Sequence, residues 1–385
     1  MKGSLRQRSE GTWELRVFHG RDPVSGLKRY TSKTVRGGKR DAQRALATMI
    51  NQAPESAPTR SMTVADALER WFDHAQEDLS PSTQSVTRMI IDKHLGPHIG
   101  SVPLSALTPA RVDNAYRAIG RRGGRGGKPL APATVHRAHN VLHRAMAQAA
   151  RWGWLPSNPV SLATPPRRTA PEIRPPETDE VMRLFALAQE KNPAFATYVQ
   201  LAAATGARRG ELVALRWSDL DLDAGVVRIR RGIVHGLDGL AEKDTKTHTS
   251  RRIAIDAGTI EALRRHRAVA DEVAAGAGAA LSGDCFVFSD SPDGMESWNP
   301  AYITQAFARL AKRAGVPEVR LHDLRHFVAT RLLANGVDIR TVAGRLGHRN
   351  PNVTLNVYAH FLPEADRDAA DLLGRLLAPP ADNGS

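Results

Sequence analysis

The chain has 385 residues, of which 41% are hydrophobic and 24% charged, so it can bury ordinary cores and is not a wholly disordered protein. Its single cysteine, Cys285, excludes an internal disulfide framework and a zinc site built from cysteines. The sequence has no apolar run of about 18 residues and no apolar segment after its basic start, so we expect neither a membrane span nor a secretory signal.

The excess positive charge lies in the first part of the chain. The net charge is +14, of which residues 1–52 carry +8, residues 53–170 carry +7 and residues 171–385 carry −1. Such an excess attracts a polyanion, because each neutralised phosphate releases condensed counterions. Nucleic acid is therefore the leading partner. An acidic membrane surface is the alternative, and it is disfavoured because no Lys-rich amphipathic helix with large apolar residues opposite is present.

Short alternating runs open the chain. In TWELRVF, apolar and polar residues alternate and predict a strand with Trp13, Leu15 and Val17 on one face. A turn, another strand and a helical pattern follow, so we expect a three-stranded sheet with one helix in a domain over residues 1–55. The open face of this sheet is predicted to present three basic residues to a DNA groove: Arg16, Lys28 and Lys33. The alternative is that this basic face is simply solvated.

Residues 60–165 have the pattern of a helical domain between two proline-containing linkers. Apolar residues recur at helical spacing in four segments, and Thr63 and Ser80 stand where the first two helices begin. The basic loop RRGGRGGKP between the third and fourth helices suits contact with a phosphate backbone, although a plain linker would look the same.

Residues 172–378 mix helical patterns with short strands. VVRIRRGIVH and RRIAI are predicted strands on either side of a polar loop, and amphipathic helices precede and follow them. The expected fold class for the whole chain is therefore α+β, mainly α, with a small sheet in the last domain.

The segment TGARRGELVALRW holds the first unusual polar pair of this domain. Gly206 breaks the preceding helix, and Arg208 and Glu211 are three residues apart, which places their side chains on one helix face. The alternative is an ordinary surface ion pair, which is common and contributes little to stability.

The segment LHDLRHFVATRLL holds a second pair. His322 and Arg325 lie three residues apart on one helix face, where they form a paired donor site for an anion. A metal bound by His322, Asp323 and His326 is the alternative. It is disfavoured because the histidine pair lacks the intervening glutamate of the zinc-protease motif, and because Arg325 repels a cation.

The segment RLGHRNPNVTLNVYAHFL holds the third set. Asn350 and Pro351 predict the start of a helix, His348 lies in the loop before it, and Tyr358 lies within it. By itself this pattern could be the helix-turn-helix of a regulator over residues 338–360, with the tyrosine in the core.

Taken together, these motifs resemble those of the tyrosine recombinase (phage integrase) family, in the family's order. The Gly-x-Arg-x-Gly-Glu, His-x-x-Arg and Leu-Gly-His motifs are all present, and a tyrosine follows the last of them by ten residues. The segment KTHTSRR resembles the family's lysine loop, with Lys243 as a lesser candidate for the lysine. The resemblance assigns the catalytic set: Arg208, Lys246, His322, Arg325, His348 and Tyr358.

The resemblance implies a site-specific DNA recombinase that works through a covalent 3′-phosphotyrosine. Attack by the phenol of Tyr358 conserves the phosphodiester bond energy, so no ATP is needed. Two arginines would bind the non-bridging phosphate oxygens, and His348 would donate a further hydrogen bond. His322 would act as general base, positioned by Glu211 or Asp323, and Lys246 would protonate the departing 5′ oxygen. No cofactor and no metal are expected.

The family also implies partners and a location. The substrates would be double-stranded DNA attachment sites bound by a homotetramer, with a host bending factor and an excision directionality factor as further partners. The protein would be cytoplasmic in a bacterium and associated with the nucleoid, with no membrane partner. Residues 1–55 resemble an arm-binding domain, residues 60–165 a core-binding (SAM-like) domain and residues 172–378 the catalytic domain.

Two other enzymes with the same chemistry are alternatives to an integrase of a phage or mobile element. A chromosome- or plasmid-dimer-resolving recombinase typically lacks the arm-like module. A type IB topoisomerase is disfavoured by that module and by the Leu-Gly-His motif. The last predicted helix would either bind a neighbouring protomer or pack on its own domain through a row of leucines: Leu372, Leu373, Leu376 and Leu377.

Overall fold

The computed structural model describes residues 3–9, 11–21, 28–52, 62–167, 174–244, 250–348 and five positions between 370 and 377. The chain forms two compact units, residues 1–171 and residues 172–385. Both contain helices and the sheets are small and antiparallel, so the predicted class, α+β and mainly α, is confirmed. Within the described residues, no helix is long and apolar enough to cross a membrane.

The first unit begins with the predicted three-stranded sheet and helix. The strands pair in the order β1-β2-β3, and Leu15 and Val17 are fully buried against Ala42 and Leu46 of the helix. The alternation in TWELRVF therefore correctly predicted which face of the strand packs inward. The elements are β1 (Gly3–Ser9), β2 (Thr12–Arg21), β3 (Lys28–Arg36) and α1 (Lys39–Gln52).

The predicted basic face of this sheet is wrong in one residue. Lys33 lies directly opposite Leu15 in the β2–β3 ladder, and opposed residues of an antiparallel pair point to the same face. Lys33 is thus on the side of α1, whereas Arg16 is on the open face, with its guanidinium 4.7 Å from the ring centre of Tyr30. The third strand has no apolar alternation of its own, so only its pairing register decides its faces. The side chain of Lys28 lies outside the described residues.

Four α-helices are described in the rest of the first unit, as the sequence predicts. Thr63 begins the first of them with a capping box, since its Oγ1 accepts the Asp66 N–H at 3.2 Å and Asp66 accepts the Thr63 N–H at 2.8 Å. One difference is a π-helical segment, Ile91–Gly100, which follows the second of these helices and contains Pro97, a residue without an N–H donor. The helices are α2 (Val64–Ala75), α3 (Pro81–Ile90), α4 (Pro109–Arg122) and α5 (Pro132–Arg151).

The second unit is built around a helix that is apolar on nearly every side. This helix, α7, contributes Tyr198 to an aromatic core in which the ring centres of Tyr198 and Phe288 are 5.1 Å apart. The described helices are α6 (Thr178–Lys191), α7 (Pro193–Thr205), α8 (Arg209–Val213), α9 (Ala257–Gly276), α10 (Pro300–Arg313), α11 (Asp323–Ala334) and α12 (Ile339–Leu346). The strands are β4 (Leu220–Asp221), β5 (Val226–Ile229), β6 (Arg231–His235), β7 (Leu240–Asp244) and β8 (Arg251–Ala254).

The single strand predicted over VVRIRRGIVH is two strands in different sheets. Strand β5 lies between β4 and β8, whereas β6 pairs with β7, a strand that falls within the predicted polar loop. The break falls at Arg230, whose Nε donates to the buried carboxylate of Asp219 at 2.6 Å. An ion pair with a residue eleven positions away is not visible in the local pattern, and this explains why the prediction was wrong.

Candidate active site

The first arginine of the site stands directly after the end of the core helix α7. Gly206 ends that helix at a φ of +63°, where a Cβ would lie 2.6 Å from a methyl group of Leu346. Arg208 then precedes α8, and Glu211 accepts its backbone N–H at 2.8 Å and its Nη1 at 2.9 Å. The predicted pairing of these two side chains is confirmed. The Arg208 side chain remains 46% exposed, so a ligand can reach it.

The second arginine is tied to the same turn. His322 precedes α11 and Arg325 lies in its first turn, where it is only 4% exposed. Its Nη1 donates to the carbonyl oxygen of Gly206 at 2.7 Å. Arg208 and Arg325 are 117 positions apart in the chain, and both are therefore held at the turn that ends α7.

The third motif reaches this turn through the packing of α11 on α12. Val328 and Leu346 are buried together in a small apolar cluster between the two helices. Helix α12 ends at Gly347, which has a φ of +69° and whose carbonyl oxygen accepts from Arg208 Nη2 at 3.3 Å. His348 follows, and its backbone N–H donates to the carbonyl oxygen of Ala343 at 2.9 Å. The structure thus brings together Arg208, His322, Arg325 and His348.

Burial and the arginine charges keep the histidines of the site neutral. Burial lowers the pKa of His348 to about 4, and the charges of Arg325 and Arg208 add to this effect. Burial, followed by the charge of Arg325, also lowers the pKa of His322. The pKa of His326, whose ring meets that of His322 edge-on at 5.1 Å, is lowered to about 4, mainly by burial. Near neutral pH each ring can therefore both donate and accept a hydrogen bond.

The two carboxylates of the site bind arginines. Burial tends to raise the pKa of Glu211, but hydrogen bonds and charge from Arg251, together with Arg208, outweigh it and hold the pKa below its ordinary value. Asp323 accepts from the backbone N–H of Arg320 at 2.8 Å and from its guanidinium at 2.9 and 3.0 Å. Both carboxylates therefore have arginine partners, and the suggestion that either of them positions His322 stays a prediction.

Two of the predicted catalytic residues lie outside the described part of the chain, and one residue of the site was not predicted from the sequence. Lys246 and Tyr358 lie outside the described residues, so their roles stay predictions. Lys243 lies on β7, opposite Gly232 of the hairpin. Arg251 was not predicted as a site residue, although it binds Glu211 at 2.6 Å. The sequence contains a signal for this residue. Arg251 and the buried Ile253 are two positions apart on β8, so their side chains point to the same, inward face.

The position of α8 depends on a close approach to β6. A Cβ on Gly210 would lie 2.5 Å from the carbonyl oxygen of Ile233. We expect Gly210→Ala to force the two elements apart and to lower the free energy of unfolding by about 1–3 kcal/mol, as measured by calorimetry. The matched control is Gly276→Ala, where a Cβ meets no atom within 4 Å and the change is expected to stay within about 0.5 kcal/mol. Equal effects of both substitutions would contradict the close approach.

Comparisons with known proteins agree on one kind of protein. Residues 177–364 match the phage integrase family model, and residues 63–118 match the model of the phage integrase N-terminal SAM-like domain. The ICEBs1 integrase of Bacillus subtilis (strain 168) is 23% identical over 97% of this chain and 100% of the relative. The integrase of Mycobacterium phage D29 is 25% identical over 92% of this chain and 91% of the relative.

Solved structures share the fold. The Tn1549 transposon integrase, in complex with a circular intermediate DNA, has a TM-score of 0.68 and 19% identity, covering 81% of this chain and 100% of that chain. A lambda integrase tetramer bound to a Holliday junction has a TM-score of 0.58 and 17% identity, covering 90% of this chain and 96% of that chain.

Proposed function

Since the chain belongs to the phage integrase family of site-specific tyrosine recombinases, we propose that it breaks and rejoins DNA at the site gathered around Arg208 and Arg325. The enzyme is a DNA strand transferase. The observation that carries the assignment of the site is the hydrogen bond from Arg325 to Gly206, because it brings two guanidiniums from distant segments to one turn.

The reaction is an exchange of phosphoryl bonds. The phenolic oxygen of Tyr358 attacks the phosphorus of a phosphodiester, a 3′-phosphotyrosine forms, and the 5′ oxygen leaves. His322 takes the phenol proton and Lys246 supplies a proton to the leaving oxygen. The 5′ hydroxyl of a second strand then attacks the phosphotyrosine and releases the tyrosine. One phosphoester bond replaces another in each step, so the reaction needs no ATP.

The arginines and His348 stabilise the charge that develops on the phosphoryl group. A guanidinium stays charged at any working pH and matches two phosphate oxygens in its planar fork. Arg208 is half exposed and is oriented by Glu211, so it can bind the phosphate without a large rearrangement. His348 is neutral because its pKa is lowered to about 4, and its ring N–H can donate to a non-bridging oxygen.

The rest of the chain is proposed to hold DNA. Among the similar structures, the Tn1549 integrase is bound to a circular intermediate DNA and a lambda integrase tetramer is bound to a Holliday junction. We infer that this chain also binds double-stranded attachment sites and acts as a multimer, a homotetramer on DNA, to integrate and excise a phage or mobile element. The +15 charge of residues 1–170 supports a DNA-holding role for residues 1–55 and 60–165, with catalysis in residues 172–378. A host bending factor and an excision directionality factor would be further partners.

The test is to express the protein beside its own flanking DNA and to map the product junctions. We expect junctions at one fixed position, and a nicked oligonucleotide spanning that position should leave the protein attached to the 3′ phosphate in denaturing gels. Relaxation of a plasmid that lacks the site, without any strand exchange, would instead indicate a type IB topoisomerase. Products formed only from circular dimers would indicate a dimer-resolving recombinase.

A further inference from the structure

Arg251 is the first residue of β8, five positions after Lys246 in the sequence, and its side chain is only 12% exposed. An arginine in so enclosed a position needs a full set of acceptors, because an unpaired buried charge is costly. Its contacts belong to two separate parts of the candidate active site, which is more than an ordinary ion pair would require.

The first partner is the carboxylate of Glu211, which Arg251 holds with two nitrogens. Nη1 donates to Oε1 at 3.2 Å and Nη2 donates to Oε2 at 2.6 Å. The same carboxylate accepts from the backbone and the guanidinium of Arg208. Arg251 therefore fixes the group that orients the first phosphate-binding arginine.

The second set of contacts is with the turn that precedes His348. Nε donates to the carbonyl oxygen of Arg345 at 3.0 Å. The guanidinium also lies against Gly347, where a Cβ would be 2.7 Å from Nη1 and 2.9 Å from Cζ. The carbonyl oxygen of that glycine accepts from Arg208. Glu211, Arg208, Gly347 and Arg251 thus form a closed ring of contacts.

We propose that Arg251 is a positioning residue that locks Glu211, Arg208 and the turn before His348 into the arrangement needed for DNA cleavage. This inference rests on the proposed function. Arg251 acts through its neighbours. It sets the direction of the Arg208 guanidinium and the distance between that guanidinium and the turn before His348. Lysine cannot replace it, because an ammonium group is a point charge and cannot bind both carboxylate oxygens and the Arg345 carbonyl in one plane.

The experiment compares three variants of the full chain: Arg251→Met, Arg251→Lys and, as a matched control, Arg252→Met. Arg252 is the next residue of β8 and is exposed, so the control removes the same charge from the same strand. The readouts are the single-turnover rate of covalent complex formation on a nicked site, the Kd for the same DNA, and the melting temperature.

We expect Arg251→Met to slow cleavage by about 100-fold, the size of effect that a 1 Å displacement of a catalytic group can cause. Arg251→Lys should recover at most a tenth of the wild-type rate. The Kd of both should stay within a factor of three of the control's, because Arg251 does not itself bind the phosphate. Wild-type cleavage by Arg251→Lys, a variant that keeps both charge and bulk, would overturn the proposal even if Arg251→Met failed to fold.

The pH profile separates positioning from a loss of folded protein. Arg251 is the main group that lowers the pKa of Glu211, so removing it raises that pKa. The ionised carboxylate, which is present above its pKa and is lost as the pH falls, should then disappear at a higher pH than in the wild type. The pH below which the cleavage rate falls should be higher for Arg251→Met than for the wild type, and unchanged for Arg252→Met. An unshifted profile would overturn the proposal, and a wild-type protein that forms no covalent complex would overturn the proposed function together with it.

Discussion

Tyr358→Phe is expected to abolish the covalent protein–DNA complex while leaving DNA binding unchanged. The substitution removes one oxygen atom and keeps the ring, so the loss would come from the missing nucleophile and not from altered packing. The measurement is the fraction of a nicked attachment-site oligonucleotide that stays attached to protein under denaturing conditions, with the Kd determined in parallel.

The matched control is Tyr302→Phe. Tyr302 is in the same unit and exposed, and its ring lies 5.7 Å from the guanidinium carbon of Arg309, a contact that phenylalanine also supports. The control should form the covalent complex as the wild type does. A complex that persists in Tyr358→Phe would show that another side chain is the nucleophile.

Arg208→Lys should reduce the single-turnover cleavage rate by about 100- to 1,000-fold, the range seen when one preorganised donor to a transition state is removed. The lysine keeps the charge but cannot bind Glu211, the Gly347 carbonyl and a phosphate together, as the planar guanidinium can. The Kd for DNA should change far less, because the positive charge at this position is retained.

Arg209→Lys is the control for this prediction, since Arg209 is the adjacent arginine and its guanidinium donates to Thr304 instead. It should cleave at close to the wild-type rate. If Arg209→Lys lowered the cleavage rate more than Arg208→Lys did, Arg209 and not Arg208 would bind the phosphate, and the assignment would be contradicted.

The parts of the site that could be predicted from the sequence are those set by local geometry. The Arg208–Glu211 pair follows from a spacing of three residues across the start of α8, which is the spacing of a capping box. The capping box at Thr63 is recognisable for the same reason. The hydrogen bond from Arg325 to Gly206 joins residues 119 positions apart, and no local spacing encodes it. Only the order of the motifs, through their resemblance to the family, indicated that these segments meet.

Strands were less predictable than helices because pairing between distant segments decides them. Strand β5 has four residues and pairs with β8 about 25 positions later, so its end at Ile229 depends on a partner that the local pattern does not contain. Lys33 illustrates the same difficulty, since its face follows from the strand register. Helix α9 was not predicted at all. Its last turns are rich in alanine and glycine, and few of its residues are buried.

The two left-handed glycines have an electrostatic consequence. Gly206 and Gly347 are the C-terminal ends of α7 and α12, and each presents its carbonyl to one arginine of the site. A helix C-terminus carries roughly half a negative charge, so two peptide dipoles reduce the mutual repulsion of the guanidiniums before any nucleic acid arrives. A peptide dipole has no proton to lose and does not diffuse away as a counterion would. We therefore expect the empty site to keep its shape over the range of acidity in which the enzyme meets and leaves its substrate.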